Sequence, residues 1–200
     1  MRKHFLSSVF EPASIAVIGA SQREDNIGSL VLKNIQQGGF RGDIYPVNPK
    51  HETIGDLHCY PTIKDIDHNV ELAVLVIPAN KVTEAMRQCA DIGVKAAIIL
   101  SAGFSEVGAR GRTMQNKIVD IARTNNISLV GPNCMGIIRP KTGLNASFAR
   151  SPVRQGRTAL VAQSGALCTS LLDWADSNGF GFSACASLGA MAGVGFGDVL

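Results

Sequence analysis

At 200 residues, with 46% hydrophobic and 18% charged residues and 21 glycines, the chain is long enough for one well-buried core and part of another. A formal net charge of +3 with scattered basic residues and only 6% aromatics excludes a basic stacking surface for nucleic acid and gives no reason to invoke a membrane surface. No apolar stretch approaches about 18 residues and residues 1–6 lead into no long apolar run, so neither a membrane span nor a signal peptide is expected, and the protein is expected in the cytoplasm.

Residues 5–14 read as a short leading helix or turn closing on Glu11-Pro12. The run Ile15-Ala16-Val17-Ile18 then stops at Gly19-Ala20-Ser21, the pattern of a buried parallel strand that delivers a turn to one edge of a sheet. A helix over 28–37, with Leu30, Val31, Asn34 and Ile35 near one face, ends at Gly38-Gly39. The second strand, 44–47, ends in Asn48-Pro49-Lys50, and a loop with Gly55 and Pro61 leads through a weak helix near 63–67. A third strand over 72–77 is closed by Pro78-Ala79-Asn80; Asn80 is the expected N-cap of a helix whose Val82, Ala85, Met86 and Cys89 repeat at helical spacing until Gly93. The fourth strand, 96–100, runs into Ser101-Ala102-Gly103-Phe104. A helix with Met114, Ile118, Ile121 and Ala122 on one face and a strand over 127–130 follow, ending in Gly131-Pro132-Asn133-Cys134-Met135-Gly136. Five strands alternating with helices predict a doubly wound, Rossmann-like parallel α/β sheet over residues 1–138.

Residues 139–157, rich in Arg, Pro and Gly, read as a connector, after which the plan restarts at 158–200. The restart has a strand over 159–162, the turn Gln163-Ser164-Gly165, a helix with Leu167, Leu171, Trp174 and Ala175 on its apolar face, and a strand over 182–187. Two strands and one helix cannot bury both faces of a sheet, so a truncated second domain is expected.

Four turns of small residues, at 19–21, 48–50, 77–79 and 101–103, end parallel strands at one edge, the place where open α/β sheets bind ligands. Gly19 admits a close backbone approach, Ser21 adds a hydroxyl, and the next helix aims N–H groups at an anion, which together suit a phosphate-bearing nucleotide. A nicotinamide-dependent oxidoreductase domain, the rival reading, calls for G-x-G-x-x-G and an acidic residue about 20 positions on. Here Gly19 has no second glycine until Gly28, and Lys50 stands where the carboxylate belongs, favouring an extra phosphate near the ribose. Ser164 and Gly165 suit phosphate binding at a helix start better than nucleophilic catalysis, because G-x-S-x-G is absent and no histidine follows. No catalytic residue is assigned. Cys134 reads as a reactive thiol or a buried packing group. The five cysteines, Cys59, Cys89, Cys134, Cys168 and Cys185, form no C-x-x-C pair and fit reduced thiols; His51, His58, Cys59 and His68 match no ligand spacing, so no metal is expected.

In the stretches SIAVIGAS (14–21), YPVNPK (45–50), LAVLVIPA (72–79), IILSAGFSEVG (98–108), GPNCMGI (131–137) and VAQSGAL (161–167), the chain resembles the NDP-forming acyl-CoA synthetases. That family includes succinyl-CoA synthetase α subunits and ADP-forming acetate–CoA ligases. LNASFA (144–149), LLDWA (171–175) and GFS (181–183) particularly resemble the Pat-type lysine acetyltransferases. The resemblance implies a CoA-binding domain followed by the start of a flavodoxin-like one, with CoA or acetyl-CoA as ligand and ATP or ADP handled only by regions outside this chain. It implies that Gly19, Ala20, Ser21 and Gln22 line the nucleotide end and that Lys50, beside Asn48 and Pro49, meets phosphates. Ile77, Pro78, Ala79, Ser101, Ala102, Gly103 and Phe104 would flank the adenine and pantetheine arm, and Asn133 would lie near the thiol. Ser164 and Gly165 match the turn whose helix points at a phosphohistidine in the ligases. The implied partners are a CoA thioester and further C-terminal domains or a β-type subunit; the oligomeric state stays open. Ala190 and Gly193 replace the Asn and Asp usual in ligases, which favours the Pat-type reading over an ADP-forming acyl-CoA ligase.

Overall fold

A computed structural model describes residues 4–200; residues 1–3, the start of the stretch expected to hold no signal peptide, lie outside the described residues. The chain runs α1 (Ser7–Phe10), β1 (Ser14–Ile18), α2 (Ile27–Gln37), β2 (Asp43–Val47), a small hairpin β3 (Thr53–Ile54) and β4 (Leu57–His58), then β5 (Leu72–Leu75), α3 (Ala79–Asp91), β6 (Ala96–Ile99), α4 (Ala109–Thr124) and β7 (Ser128–Val130). It continues through β8 (Gly136–Arg139), β9 (Leu144–Ser147), β10 (Gln155–Ala162), α5 (Gly165–Ser177), β11 (Phe182–Ser187) and α6 (Phe196–Val199).

The first sheet is wholly parallel, in the order β2-β1-β5-β6-β7. Its inner strands β1, β5 and β6 are buried along their whole length because both faces are covered. Ile15, Val17, Leu72, Val74 and Ile98 face Val31, Leu32 and Ile35 of α2, while Ala16, Ile18, Leu75, Ile99 and Leu129 face Val82, Met86 and Cys89 of α3 and Ile118 of α4. The alternation along β1 thus splits one strand between two cores. On α2 the buried positions are Val31, Leu32 and Ile35 with Gly28, so Leu32 replaces the expected Leu30. On α3 the four expected residues Val82, Ala85, Met86 and Cys89 are the buried ones. Pro78, not Asn80, is its N-cap.

The second sheet has the order β10-β11-β8-β9. Here the stretch expected as a connector differs: Pro140 and Gly143 turn the chain into an antiparallel hairpin, with Ile137 opposite Ala146 and Arg139 opposite Leu144. The turn residues masked the short strand Leu144–Ser147, whose Leu144 and Ala146 point inward. One face of this sheet, through Ile137, Ala146 and Ala186, joins the core over α2. The other, through Ile138 and Cys185, packs with Cys168, Leu172 and Ala175 of α5. Asn34 of α2 ties the two parts, donating from Nδ2 to the carbonyls of Ser147 (2.9 Å) and Ala149 (2.8 Å). The apolar face expected on α5 is corrected in register: Cys168 and Leu172 are buried, whereas Leu167 and Trp174 are 52% and 55% exposed. The helix is apolar on more than one side, so periodicity alone did not fix which stripe meets the sheet. Among the described residues no helix is long and apolar enough to cross a membrane.

Candidate functional site

The carboxyl ends of the parallel strands carry turns that hydrogen bonds tie together in strand order. Between β2 and β1, the Gly19 N–H donates to the Val47 carbonyl (2.9 Å) and Asn48 Nδ2 to the Ala20 carbonyl (2.7 Å). The Val76 N–H, at the end of β5, donates to the Ile18 carbonyl (2.8 Å). Ser101 Oγ crosses from β6 to the Ile77 carbonyl (2.5 Å), and the Asn133 N–H crosses from the β7 turn to the Ser101 carbonyl (3.0 Å). The turns at 19–21, 48–50, 77–79 and 101–103 and Asn133 therefore stand in one row, and four strand spacings of about 4.8 Å give it a span of roughly 19 Å.

Gly19 occupies the switch point of the sheet, where crossovers leave in opposite directions. Its φ of +95° and a Cβ position only 2.5 Å from the Val76 carbonyl oxygen admit no side chain. Gly28 closes on it from the other side: a Cβ there would lie 2.0 Å from the Gly19 carbonyl oxygen, so the start of α2 is drawn tight against the turn. Asn26 caps that helix, its Oδ1 accepting the Gly28 N–H at 2.7 Å, which takes one of the donors expected to be offered to an anion. Ser21 is 6% exposed and its Oγ accepts the Arg23 N–H, whereas Gln22 is exposed and donates from Nε2 to the Thr53 carbonyl (2.7 Å). Asn48 Oδ1 accepts the Lys50 N–H (3.0 Å), fixing the turn from which the exposed Lys50 side chain projects with no ion pair among the described residues. Pro49, Pro78 and Ala102 are exposed; Ile77, Ala79, Ser101 and Gly103 are half-buried. Phe104 differs: its ring is fully buried in the core under α3 and α4, so a ligand can meet only its backbone.

At the β7 end, Asn133 opens on a cavity of about 1080 Å³ that also takes in Ser164 and Gly165 from the second part of the chain. Ser164 caps α5, its Oγ accepting the Leu167 N–H at 3.2 Å, and the described residues that line this cavity include no histidine. Cys134 Sγ donates to the Ile99 carbonyl (3.3 Å), and burial pushes its thiol up to about 12. It stays protonated at neutral pH and serves as a packing group.

Several residues of this edge carry no motif of their own. The β3–β4 hairpin folds over the first turn, and its signal was the single Gly55 between Ile54 and Asp56. Glu106 holds the fourth turn, at 101–103, shut by accepting the N–H groups of Gly103 (2.6 Å) and Phe104 (3.1 Å). Desolvation pushes its carboxyl up, but hydrogen bonds from the backbone of Gly103, Glu106 and Phe104 together outweigh this and hold it below its ordinary value. Arg112, Gln115 and Asn116 of α4 form one wall of the cavity, and Met135 and Phe148 contribute apolar surface. An acid three residues after Gly103 was the only trace of the role of Glu106.

Residues 13–140 match the CoA binding domain family, and residues 155–200 match the succinyl-CoA ligase like flavodoxin domain. The ADP-forming acetate–CoA ligase I of Archaeoglobus fulgidus is 40% identical over 195 residues, which cover 98% of this chain and 28% of that protein. The α subunit of the ADP-forming acetate–CoA ligase I of Pyrococcus furiosus is 37% identical, with 98% and 43% covered. The dinucleotide forming acetyl-coenzyme A synthetase 1 of Ca. Korarchaeum cryptofilum, solved in complex with phosphate and ADP, superposes with a TM-score of 0.93 at 34% identity over 97% of this chain and 41% of that one. The chain thus spans less than half the length of each of these relatives.

Proposed function

The chain belongs to the CoA binding domain family, within the NDP-forming acyl-CoA synthetases, and from that premise we propose that it is the CoA-holding region of an ADP-forming acyl-CoA ligase. The observation that carries this is the hydrogen-bonded row of turns from β2 to β7, which ends at a cavity shared with the second part of the chain. An extended CoA laid along it has its phosphates at the Gly19 turn and Lys50, its pantetheine arm over the turns at 77–79 and 101–104, and its thiol at Asn133. The row lies at the carboxyl edge across the switch point, where such sheets take nucleotides. Ser164 and Gly165 then flank the thioester from the start of α5, in a position to receive phosphate.

Sequence alone favoured the Pat-type acetyltransferase, on the resemblance of residues 144–149, 171–175 and 181–183 and on Ala190 and Gly193. The relatives are ligases along essentially the whole chain, and support moves to the ligase alternative. In the structure the loop around those two substitutions is backbone-anchored, the Ala190 N–H donating to the Pro132 carbonyl (2.8 Å) and the Ala192 N–H to the Gly131 carbonyl (3.0 Å). The turn beside Asn133 is thus held without the Asn and Asp side chains. We read residues 1–138 as the CoA-binding unit and 158–200 as the beginning of the second, with ADP chemistry supplied by further domains or a β-type subunit. Five buried cysteines free of disulfides accord with the reducing cytoplasm.

The full-length protein, or the chain with its β-type partner, tests this through ATP formation from acyl-CoA, ADP and phosphate. Turnover supports the ligase reading. CoA binding without turnover, with acetyl transfer to lysine instead, would return the assignment to the acetyltransferase type.

A further inference from the structure

Resting on the ligase reading, we infer that Ser187 is a positioning residue for the reaction: its buried hydroxyl ties the turn that carries Asn133 to the turn that opens α5. The four buried polar side chains among the described residues are Ser14, Ser21, Ser147 and Ser187. Ser14 bonds the backbone of Asn69 and Glu71, Ser21 that of Arg23, and Ser147 the Asn145 side chain and the Ala149 N–H, so each of these three serves one part of the chain. Ser187 differs. It is wholly buried at the end of β11, where its Oγ accepts the Met135 N–H at 3.0 Å and donates to the Gln163 carbonyl at 3.5 Å. One hydroxyl thus uses its acceptor on the turn after β7 and its donor on the turn after β10.

Asn133, Met135, Gln163, Ser164 and Gly165 line the shared cavity and Ser187 does not, so it acts through its neighbours. Met135 is fully buried, and the start of α5 rests on it: a Cβ at Gly165 would stand 3.3 Å from Met135 Cβ and 3.4 Å from Met135 N. The backbone joins the loop after β11 to both sides, through the Leu188 N–H to the Ala162 carbonyl (2.8 Å), the Gly189 N–H to the Gln163 carbonyl (3.0 Å) and the Ala190 N–H to the Pro132 carbonyl (2.8 Å). None of these three bonds reaches Met135. Its N–H is held by the Ser187 hydroxyl, and without that acceptor a buried donor would be left unpaired and the turn at 133–135 would shift to pair it again. Asn133, at the thiol end of CoA, would then move against Ser164 and Gly165, where phosphate is received. A misplacement of about 1 Å between reacting groups costs on the order of 100-fold in rate. Lys50 and the turns at 19–21 and 77–79, which hold the rest of CoA in the same reading, lie outside this contact.

ATP formation from acetyl-CoA, ADP and phosphate by the full-length protein, with its β-type partner where it has one, tests this. The variants are Ser187→Ala and the equally sized pair Ser187→Thr and Ser187→Val, which differ in the hydroxyl and keep the test open if one of them fails to fold. In Ser187→Ala and Ser187→Val, kcat should fall about 100-fold while the KM for acetyl-CoA and the calorimetric Kd for CoA move by less than about threefold. Ser187→Thr should recover most of kcat, because the hydroxyl is restored. A hydroxyl that only stabilised the fold would lower the urea midpoint without this split between kcat and KM. Full kcat in the folded Ser187→Ala or Ser187→Val protein overturns the inference, as does equal kcat in the Thr and Val variants or a loss of CoA affinity as large as the loss of kcat. CoA binding with no ATP formation by the unmodified protein would instead remove the ligase reading, and the inference with it.

Discussion

Gly19→Ala probes the switch-point turn most sharply. The residue sits at φ +95°, a region that costs a non-glycine residue about 1–3 kcal/mol. The new Cβ would stand 2.5 Å from the Val76 carbonyl oxygen and 2.8 Å from Ile77 Cγ2, against an ordinary contact beginning at 3.4 Å. The first neighbour is backbone and cannot rotate away, so the turn after β5 must move, and overpacking of this kind adds about 1–3 kcal/mol. The sum, about 2–6 kcal/mol, is below or within the ~5–15 kcal/mol stability of a folded domain, so the variant should fold but unfold at lower urea. Gly39→Ala is the control: its φ is +79° but nothing lies within 4 Å, so only the backbone cost applies and CoA affinity should not change. Urea unfolding followed by circular dichroism gives the stability difference, and calorimetry gives CoA affinity, expected to fall at least tenfold for Gly19→Ala alone. Stability equal to that of Gly39→Ala, with unchanged CoA binding, would refute the close packing of the first and third strand ends and its role in the site.

Lys50→Ala should weaken CoA by about 1–3 kcal/mol if the ammonium makes a charge-assisted phosphate bond, and the loss should shrink in high salt; unchanged calorimetric affinity would remove that role. All five thiols are buried, so a disulfide-exchange reagent should label none in the native protein and all five in urea; rapid native labelling of Cys134 would contradict its packing role. The Glu106 carboxyl is depressed in the folded state, so its contribution is complete above the unfolded value near 4.5 and lost as pH falls through the lower folded value. Amide exchange at Gly103 and Phe104 should therefore rise, relative to other turns, only below that pH, and Glu106→Gln should show the rise at neutral pH. Asn34→Ala removes both bonds that tie α2 to the carbonyls of Ser147 and Ala149, and a net loss of about 1–3 kcal/mol is expected in the same urea assay.

The parallel sheet was legible because each of its five strands is a short apolar run stopped by glycine, proline, asparagine or serine, and because the strands alternate with helical periodicity. The row of turns was legible for the same reason, since small residues recur where the strands end. Phe104 shows the limit: its place in the sequence lies within a turn, but an apolar ring beside a core goes into the core. The hairpin of β8 and β9 was hidden because Pro140 and Gly143, the residues that make its turn, also look like a linker. Of the face expected on α5, Leu167, Leu171, Trp174 and Ala175, only Ala175 is buried, because Cys168 and Leu172 offer an equally apolar stripe one position on. Arg112 and Gln115 reach the cavity only through the fold, because no spacing rule brings a residue of α4 beside the Ser164 turn.

The central claim is that the row of turns holds CoA and not a nicotinamide dinucleotide. Parallel calorimetric titrations of the protein with CoA, acetyl-CoA and NADH test it most directly. The account predicts binding of CoA or its thioester in the micromolar range and none of NADH. NADH binding in place of CoA would contradict it.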